Sequence, residues 1–128
     1  MLKNWIRGPF LVVMMALFAT TPLYGQDAPT HVGHWDGAIQ VPGQALEINV
    51  DLAREAGAWK GDISIPLQQV EDFALGGFLV DGMEITFGMV GVPGDPTFQG
   101  ALSEDGQTLS GTFSQGGQSF PFTLTRGG

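Results

Sequence analysis

The stretch Trp35-Asp36-Gly37-Ala38-Ile39 decides the fold, because its pattern occurs four times along the chain. Each copy runs from a bulky apolar residue through a polar residue, a glycine and a small or polar residue to a second apolar residue. This period of two indicates a half-buried β-strand, although strand propensity alone disfavours a glycine on the apolar face. We therefore predict a small, closed or nearly closed β-structure. The other copies are Trp59-Lys60-Gly61-Asp62-Ile63, Phe98-Gln99-Gly100-Ala101-Leu102 and Leu109-Ser110-Gly111-Thr112-Phe113.

The rest of the chain also divides into alternating stretches separated by turn residues. The second stretch alternates most cleanly, with Leu46, Ile48, Val50 and Leu52 on one side. A helical turn is plausible only at Leu67–Asp72, and the remaining connections are hairpins or loops, so the strands are expected to be antiparallel. The eight predicted strands are 35–41, 44–53, 58–65, 73–80, 83–89, 97–103, 108–114 and 118–126.

A flat sheet of eight such strands would leave its apolar face in water and both edges unpaired. Closure into a barrel removes both problems. The sequence thus predicts an all-β protein, an eight-stranded antiparallel up-and-down β-barrel. The inward glycines would then allow sharp coiling of short strands and make space for neighbouring rings. The alternative is that they open volume for a ligand.

The first residues have the pattern of an export signal. Lys3 and Arg7 precede an apolar run, Phe10–Ala19, which is too short to span a bilayer. Cleavage is plausible after Gly25 or after Ala28, and an uncleaved anchor is the alternative. We expect a signal peptide over 1–25, an irregular N-terminal arm over 26–32 and a β-barrel domain over 33–128. The protein would then be exported, to the periplasm or the extracellular space.

Charge and composition exclude several kinds of partner. Once the leader is removed, only Arg54, Lys60 and Arg126 remain against thirteen acidic residues. Without a basic patch the domain is not expected to bind nucleic acid or an anionic membrane. The outward polar faces and the Arg-Gly-Gly end also argue against a membrane span after signal removal. Because the chain has no cysteine, one apolar core must stabilise it.

Two short motifs at the ends of the predicted barrel resemble the calycin superfamily, which includes the lipocalins. The first strand begins with Gly33-His34-Trp35, and the last ends with Thr123-Leu124-Thr125-Arg126. The resemblance implies that Trp35 packs inside the base of the barrel with Arg126 lying across it. Gly33, Trp35 and Arg126 would then be a structural signature of a calycin-like fold.

A longer resemblance covers most of the chain after the leader. The runs Gly33–Gly37, Trp59–Pro66 and Asp105–Gly117 are similar to a secreted bacterial module that often precedes an α/β-hydrolase domain. In that family the module is an accessory β-domain, and the chemistry belongs to the hydrolase. Since this chain ends at Gly128, the resemblance implies an accessory role rather than activity of its own.

No residue set indicates a reaction. Ser114 lies in a sequence that superficially resembles a nucleophile elbow, but the spacing is one residue off and a hairpin surrounds it. His31, His34 and Asp36 are close enough in sequence to be considered as metal ligands, although exposed histidines on a flexible lead are the favoured interpretation. The acid pairs at 71–72 and 104–105 are expected in turns. We predict no catalytic residue, no metal and no cofactor.

The apolar interior is the strongest remaining functional signal. The inward residues would form a site for a small apolar or amphipathic ligand, in the barrel or at its mouth, reached past 67–73 or 91–96. Against this, large rings can fill an eight-stranded barrel completely. The alternative function is a protein-interaction domain whose arm, 26–32, binds a secreted hydrolase or protease. The predicted ligand-binding residues are Trp59, Met83, Phe87, Met89, Phe98 and Phe113.

Overall fold

The structure, a computed structural model, describes residues 30–127 and contains nine β-strands. The predicted signal peptide and the first part of the arm, 26–29, lie outside the described residues. A short 3-10 turn, Pro66–Gln68, follows the third strand. It matches only the start of the helical turn predicted over Leu67–Asp72, because residues 70–72 belong to the fourth strand. The strands are β1 (Gly33–Val41), β2 (Gln44–Glu55), β3 (Ala58–Ile65), β4 (Val70–Ala74), β5 (Gly76–Asp81), β6 (Glu84–Gly88), β7 (Thr97–Leu102), β8 (Thr108–Gln115) and β9 (Gln118–Arg126).

All nine strands form one antiparallel sheet that is nearly closed into a barrel. Its order is β4-β3-β2-β1-β9-β8-β7-β6-β5, so the first and last strands of the chain are neighbours. Trp35 is paired with Arg126, and Ile39 is paired with Phe122, in that junction. The all-β, antiparallel prediction is therefore confirmed.

The prediction of eight strands is wrong, because the stretch predicted as one strand over 73–80 is divided at Leu75. The Leu75 N–H donates to the Gly61 carbonyl, 2.8 Å away, which continues the alignment of β4 with β3 by one residue beyond Ala74. Gly77 then takes a φ of +66°, which is not extended and which glycine adopts without strain. From Gly76 onward β5 pairs with β6 instead. This change of partner leaves β4 and β5 as the two edges of the sheet.

The core is the inner face of the barrel. Ile48, Ile63 and Phe122, which the alternation places inside, are 0%, 0% and 1% exposed. On β2 the predicted alternation holds, since Ile48, Val50 and Leu52 are buried while Glu47 and Asp51 are exposed. The apolar faces of the strands thus meet in one dry interior.

The inward glycines allow close packing rather than open space. A Cβ on Gly37 would overlap the Thr123 carbonyl of the adjacent strand, and a Cβ on Gly111 would overlap that of Gln99. A Cβ on Gly100 would come within 2.9 Å of the Phe122 ring. Strand approach and ring packing therefore account for these glycines, and the alternative of ligand volume has no support at them.

Met83 is not in the barrel interior, where the sequence analysis placed it. Asp81 pairs with Glu84, so Gly82 and Met83 are the two central residues of the hairpin turn. Gly82 has the positive φ, +62°, that such turns require. The alternation starts only at Glu84, and Met83 is 37% exposed.

The barrel has two different ends. We call the end where β1 begins and β9 ends the base. The opposite end, the mouth, is formed by the β1–β2 turn, the 3-10 turn, the loop 89–96 and the β8–β9 turn. The Met89 N–H donates to the Pro96 carbonyl at 3.0 Å, and the Gly116 N–H donates to the Gly94 carbonyl at 2.9 Å. These bonds attach the loop to the rim of the mouth.

Candidate ligand-binding site

Arg126 closes the base of the barrel. Its guanidinium carbon lies 4.4 Å from the centroid of the Trp35 ring. Nε donates to the Gly106 carbonyl at 3.0 Å, Nη1 to Val32 at 2.7 Å and Nη2 to Thr30 at 2.7 Å. Arg126 therefore joins the base turn between β7 and β8 to the residues that precede β1.

His31 is part of the core, which corrects the interpretation of an exposed histidine on a flexible lead. Its side chain is 3% exposed. Because a carbonyl can only accept, the Nε2–H donates to the Met83 carbonyl, 2.8 Å away. The Trp35 indole N–H donates to the His31 carbonyl at 2.9 Å. Residues 30–32 are thus built into the barrel base, and we expect their deletion to lower stability.

The interior above this base is filled by a continuous series of aromatic rings. Neighbouring ring centroids lie 4.8 to 6.5 Å apart. Phe87 and Phe98 are 1% and 0% exposed, so two of the residues predicted to contact a ligand contact other rings instead. The series runs through Trp59, Phe78, Phe87, Phe98 and Phe113, and Phe122 packs edge-on against Phe98.

A recess of about 160 Å³ remains at the mouth. Two of the predicted ligand-binding residues, Met89 and Phe113, line its inner part. The side-chain amides of Gln68 and Gln115 are the only polar side chains among its lining residues. The other apolar lining residues are Ile39, Val41, Leu46, Ile65, Val92, Pro96 and Phe120.

The size of the recess limits what it can hold. Sites that enclose a whole drug-sized ligand have volumes of about 300–1,000 Å³, whereas an apolar cavity of about 150 Å³ holds benzene. A single ring or the end of an alkyl chain therefore fits in the mouth recess. The rest of such a molecule would project into solvent past the 3-10 turn and the loop 89–96.

Sequence reasoning missed most of the recess because its lining comes from distant parts of the chain. Gln68 belongs to the 3-10 turn, Val92 to the loop, and Gln115 and Phe120 to the two strands of the last hairpin. No local pattern marks them as neighbours. The predicted entry routes, 67–73 and 91–96, do contain Gln68 and Val92, because turns and loops are expected to flank any opening at the end of a barrel.

Hollows larger than the recess also occur over the described residues. One, of about 260 Å³, borders Phe87 and Met89 beside Val90 and Pro96, and it is mostly apolar but more open to solvent than the recess.

Other hollows lie on the outer wall. One, of about 310 Å³, is lined mainly by small and polar residues such as Thr86, Gln99 and Ser110. Another, of about 770 Å³, lies beside Asn49, Ser64 and the first residues of β4. Both are open polar depressions, and neither has the apolar enclosure that binds small molecules well.

His34 bridges two carboxylates on the outer wall. Nδ1 lies 2.7 Å from an oxygen of Asp51, and Nε2 lies 2.8 Å from an oxygen of Asp36. The Asn49 amide also donates to Asp36 at 2.7 Å. The hydrogen bond to Asp51, with the charges of both carboxylates, raises the pKa of His34 above its ordinary value. These contacts stabilise the protonated, doubly donating form of His34 relative to the neutral one.

The three residues considered as metal ligands are not brought together. His31 points into the base, while His34 and Asp36 lie on the outer wall. Within residues 30–127, no three histidine, aspartate or glutamate side chains are grouped so that they could hold a metal ion.

The acid pairs also lie apart. Glu71 and Asp72 are in β4, not in a turn as expected, whereas Glu104 and Asp105 are in the β7–β8 turn at the base. Hydrogen bonds from Ser103 and from a backbone N–H lower the pKa of Asp105, as in an ordinary Asx turn. Burial, followed by the charges of Asp51 and Asp72, raises the pKa of Asp62 on the same outer wall as His34.

Ser114 is placed in a cross-strand pair near the mouth. Its Oγ lies 3.0 Å from the Oγ of Ser119 on β9. The two histidines are at the opposite end of the barrel, where β1 begins. This arrangement offers the Ser114 hydroxyl no imidazole base within the described chain.

Comparison of the chain with known protein families, curated proteins and solved structures finds no match. Over the described residues, no helix has the length and apolar character needed to cross a bilayer. The candidate site therefore depends on geometry alone, and the mouth recess is the most enclosed of the hollows described above.

Proposed function

We propose that this protein is an exported, non-catalytic barrel of calycin-like topology that binds the apolar end of a small amphipathic molecule in its mouth recess. The observation that carries the proposal is the recess itself, about 160 Å³ in volume and lined by apolar side chains with two amides. The export signal in the sequence supports the location. The meander order of the strands and the Trp35–Arg126 contact support the calycin-like topology.

The filled interior determines how a ligand would sit. Rings occupy the barrel from Trp59 to Phe98, so an alkyl chain can enter only as far as Met89 and Phe113. Burial of about five methylenes contributes about 4 kcal/mol. That free energy corresponds to a dissociation constant of about 1 mM. Weak binding with an exposed head group is therefore expected.

Methyl NMR can test this proposal directly, because the barrel has a reporter at each end. Met89 lines the recess and also borders the hollow of about 260 Å³ beside Phe87, while Met83 lies in the base turn. The variant at Val92 described below distinguishes the two hollows, because Val92 lines the recess and not the other hollow. In the full chain labelled with methyl-13C methionine, hexyl glucoside should shift the Met89 signal in a saturable way and leave the Met83 signal unchanged. Tryptophan emission is a poorer readout, since Trp35 and Trp59 are both near the base.

A variant that fills the recess provides the second arm. Val92→Trp places an indole at the rim, where Val92 is half-buried, and should abolish the Met89 shift. The matched control is Leu79→Trp on the outer wall, where Leu79 is 71% exposed, and it should bind as the parent does. An unchanged Met89 signal in the parent, or equal shifts at both methionines, would refute the proposed function.

A further inference from the structure

The basic side chains of the described barrel are all at its base. The Arg54 guanidinium donates to the Gly57 carbonyl at 2.9 Å in the β2–β3 turn. Lys60 lies 3.1 Å from a carboxylate oxygen of Glu55 on the same hairpin. Arg126 is bound to the backbone carbonyls at the base. Each positive charge is therefore held at the end of the barrel remote from the recess.

The mouth carries acidic side chains and, within residues 30–127, no basic ones. Asp95 directly precedes Pro96, which lines the recess. Glu71 and Asp72 open β4, a few residues after Gln68, another lining residue. All three acidic side chains are exposed. Glu71 and Asp72 border the outer-wall hollow beside Asn49 and Ser64, and Asp95 borders the hollow beside Phe87, so these acids surround the recess without lining it and make this end of the barrel negative.

The neutral groups at the rim also suit a positive head group. Phe120 lines the recess and is only partly buried, and an aromatic face attracts a cation. The Gln115 amide nitrogen donates to the Pro93 carbonyl at 3.2 Å, which leaves its Oε1 oxygen able to accept. An anionic head group would instead need an arginine or lysine, which this end of the described barrel does not provide.

We propose, building on the proposed function, that the mouth recess selects amphiphiles with a cationic ammonium head group over those with a carboxylate or sulfate. The apolar lining provides the affinity for the chain, and it does not distinguish head groups. The negative charge of Glu71, Asp72 and Asp95 at the mouth end provides the selectivity.

The size of the selectivity follows from the exposure of these acids. An exposed charge pair changes an equilibrium by up to about fivefold, so the summed preference over a neutral head group is expected to be about fivefold to tenfold. Sulfate should bind more weakly than the neutral ligand by a similar factor. In about 1 M salt, where the screening length is about 3 Å, the three affinities should converge.

The experiment uses three probes that share the same hexyl chain and differ in head group. Each is titrated into the full chain below its critical micelle concentration: hexyltrimethylammonium, hexyl glucoside and hexyl sulfate. The Met89 methyl shift reports occupancy. The expected order of affinity is ammonium, then glucoside, then sulfate. If glucoside shifts Met89 but sulfate binds as tightly as ammonium, the head-group inference is overturned while the proposed function stands. If no probe shifts Met89, both are overturned.

Charge variants test the cause of the preference. Asp95 has a φ of +50°, which asparagine tolerates well, so Asp95→Asn combined with Glu71→Gln should fold normally. This double variant should bind ammonium about fivefold less tightly and bind glucoside unchanged. Glu104→Gln, in the base turn, is the control and should alter the affinity neither for the ammonium probe nor for the glucoside. Equal loss of ammonium binding in the control and in the double variant would contradict a local effect of the acids at the mouth end.

Discussion

Replacement of Arg126 by methionine is expected to release the clamp that holds residues 30–32 across the base of the barrel. Methionine keeps much of the apolar stem that covers Trp35 but loses the guanidinium. Three charge-assisted hydrogen bonds to the carbonyls of Gly106, Val32 and Thr30 disappear with it. The stacking on Trp35 is also lost.

The decrease in the free energy of unfolding can be calculated from these contacts. A hydrogen bond of this kind contributes about 1 kcal/mol net, and an exposed cation–π contact about 0.5–1 kcal/mol. Arg126 is only half-buried, which reduces these values. We expect the free energy of unfolding to fall by about 3 kcal/mol, a large fraction of the 5–15 kcal/mol typical of a small domain.

Urea denaturation of the full chain measures this loss, with Arg54→Met as the matched control. Arg54 also lies over a tryptophan, 5.2 Å from the Trp59 centroid, but it makes one hydrogen bond and is exposed. Its removal should cost about 0.5 kcal/mol. Exchange of the Trp35 indole proton should accelerate only in the Arg126 variant. Equal losses in the two variants would refute the reasoning.

Other variants test the interior and the outer wall. His31→Ala should lower the free energy of unfolding by about 1–3 kcal/mol, because a buried hydrogen bond and the ring that fills the base are lost. Urea denaturation measures this decrease, and an unchanged free energy of unfolding would contradict the buried placement of His31. Gly100→Ala should cost about 1–3 kcal/mol through the clash with the Phe122 ring, and Phe122→Leu in the same chain should recover part of that loss if the clash is its cause. For His34 the folded pKa is raised, so the stability it contributes is fully present below its ordinary pKa of 6.5 and is lost as pH rises through the folded pKa. Urea denaturation across pH should show that the free energy of unfolding of the parent exceeds that of His34→Gln only at acidic pH. The difference should be at most about 1 kcal/mol, because the His34 side chain is 43% exposed. A larger difference at alkaline pH would contradict the assigned sign.

Local alternation is enough to predict the strands whose inward residues face the common core. On β2 the buried positions are those of the sequence pattern, and the inward glycines have the packing role expected of tightly coiled strands. The change of partner after Leu75 could not be predicted, because it depends on which strands lie beside this segment. These are β3, where the Leu75 N–H bonds to the Gly61 carbonyl, and then β6. Gly76-Gly77 interrupts the alternation over 73–80, but such an interruption does not by itself show that the strand changes partner there.

The candidate site illustrates the same limit. The interior residues Phe87 and Phe98 were predictable as apolar and inward, but whether such rings meet or leave a cavity depends on strand tilt and register. His31 was misplaced because its hydrogen-bond partner, Met83, is 52 residues away. The mouth recess combines side chains from several strands, a turn and a loop, so only the assembled barrel brings them together.

A crystal of the full chain pressurised with xenon tests the central claim most directly, since xenon enters apolar cavities of this size. The account predicts a xenon atom in the mouth recess, in contact with Met89 and Phe113, and none among the stacked rings. Xenon bound between Trp59 and Phe98, with the mouth recess empty, would show a hollow barrel and contradict it.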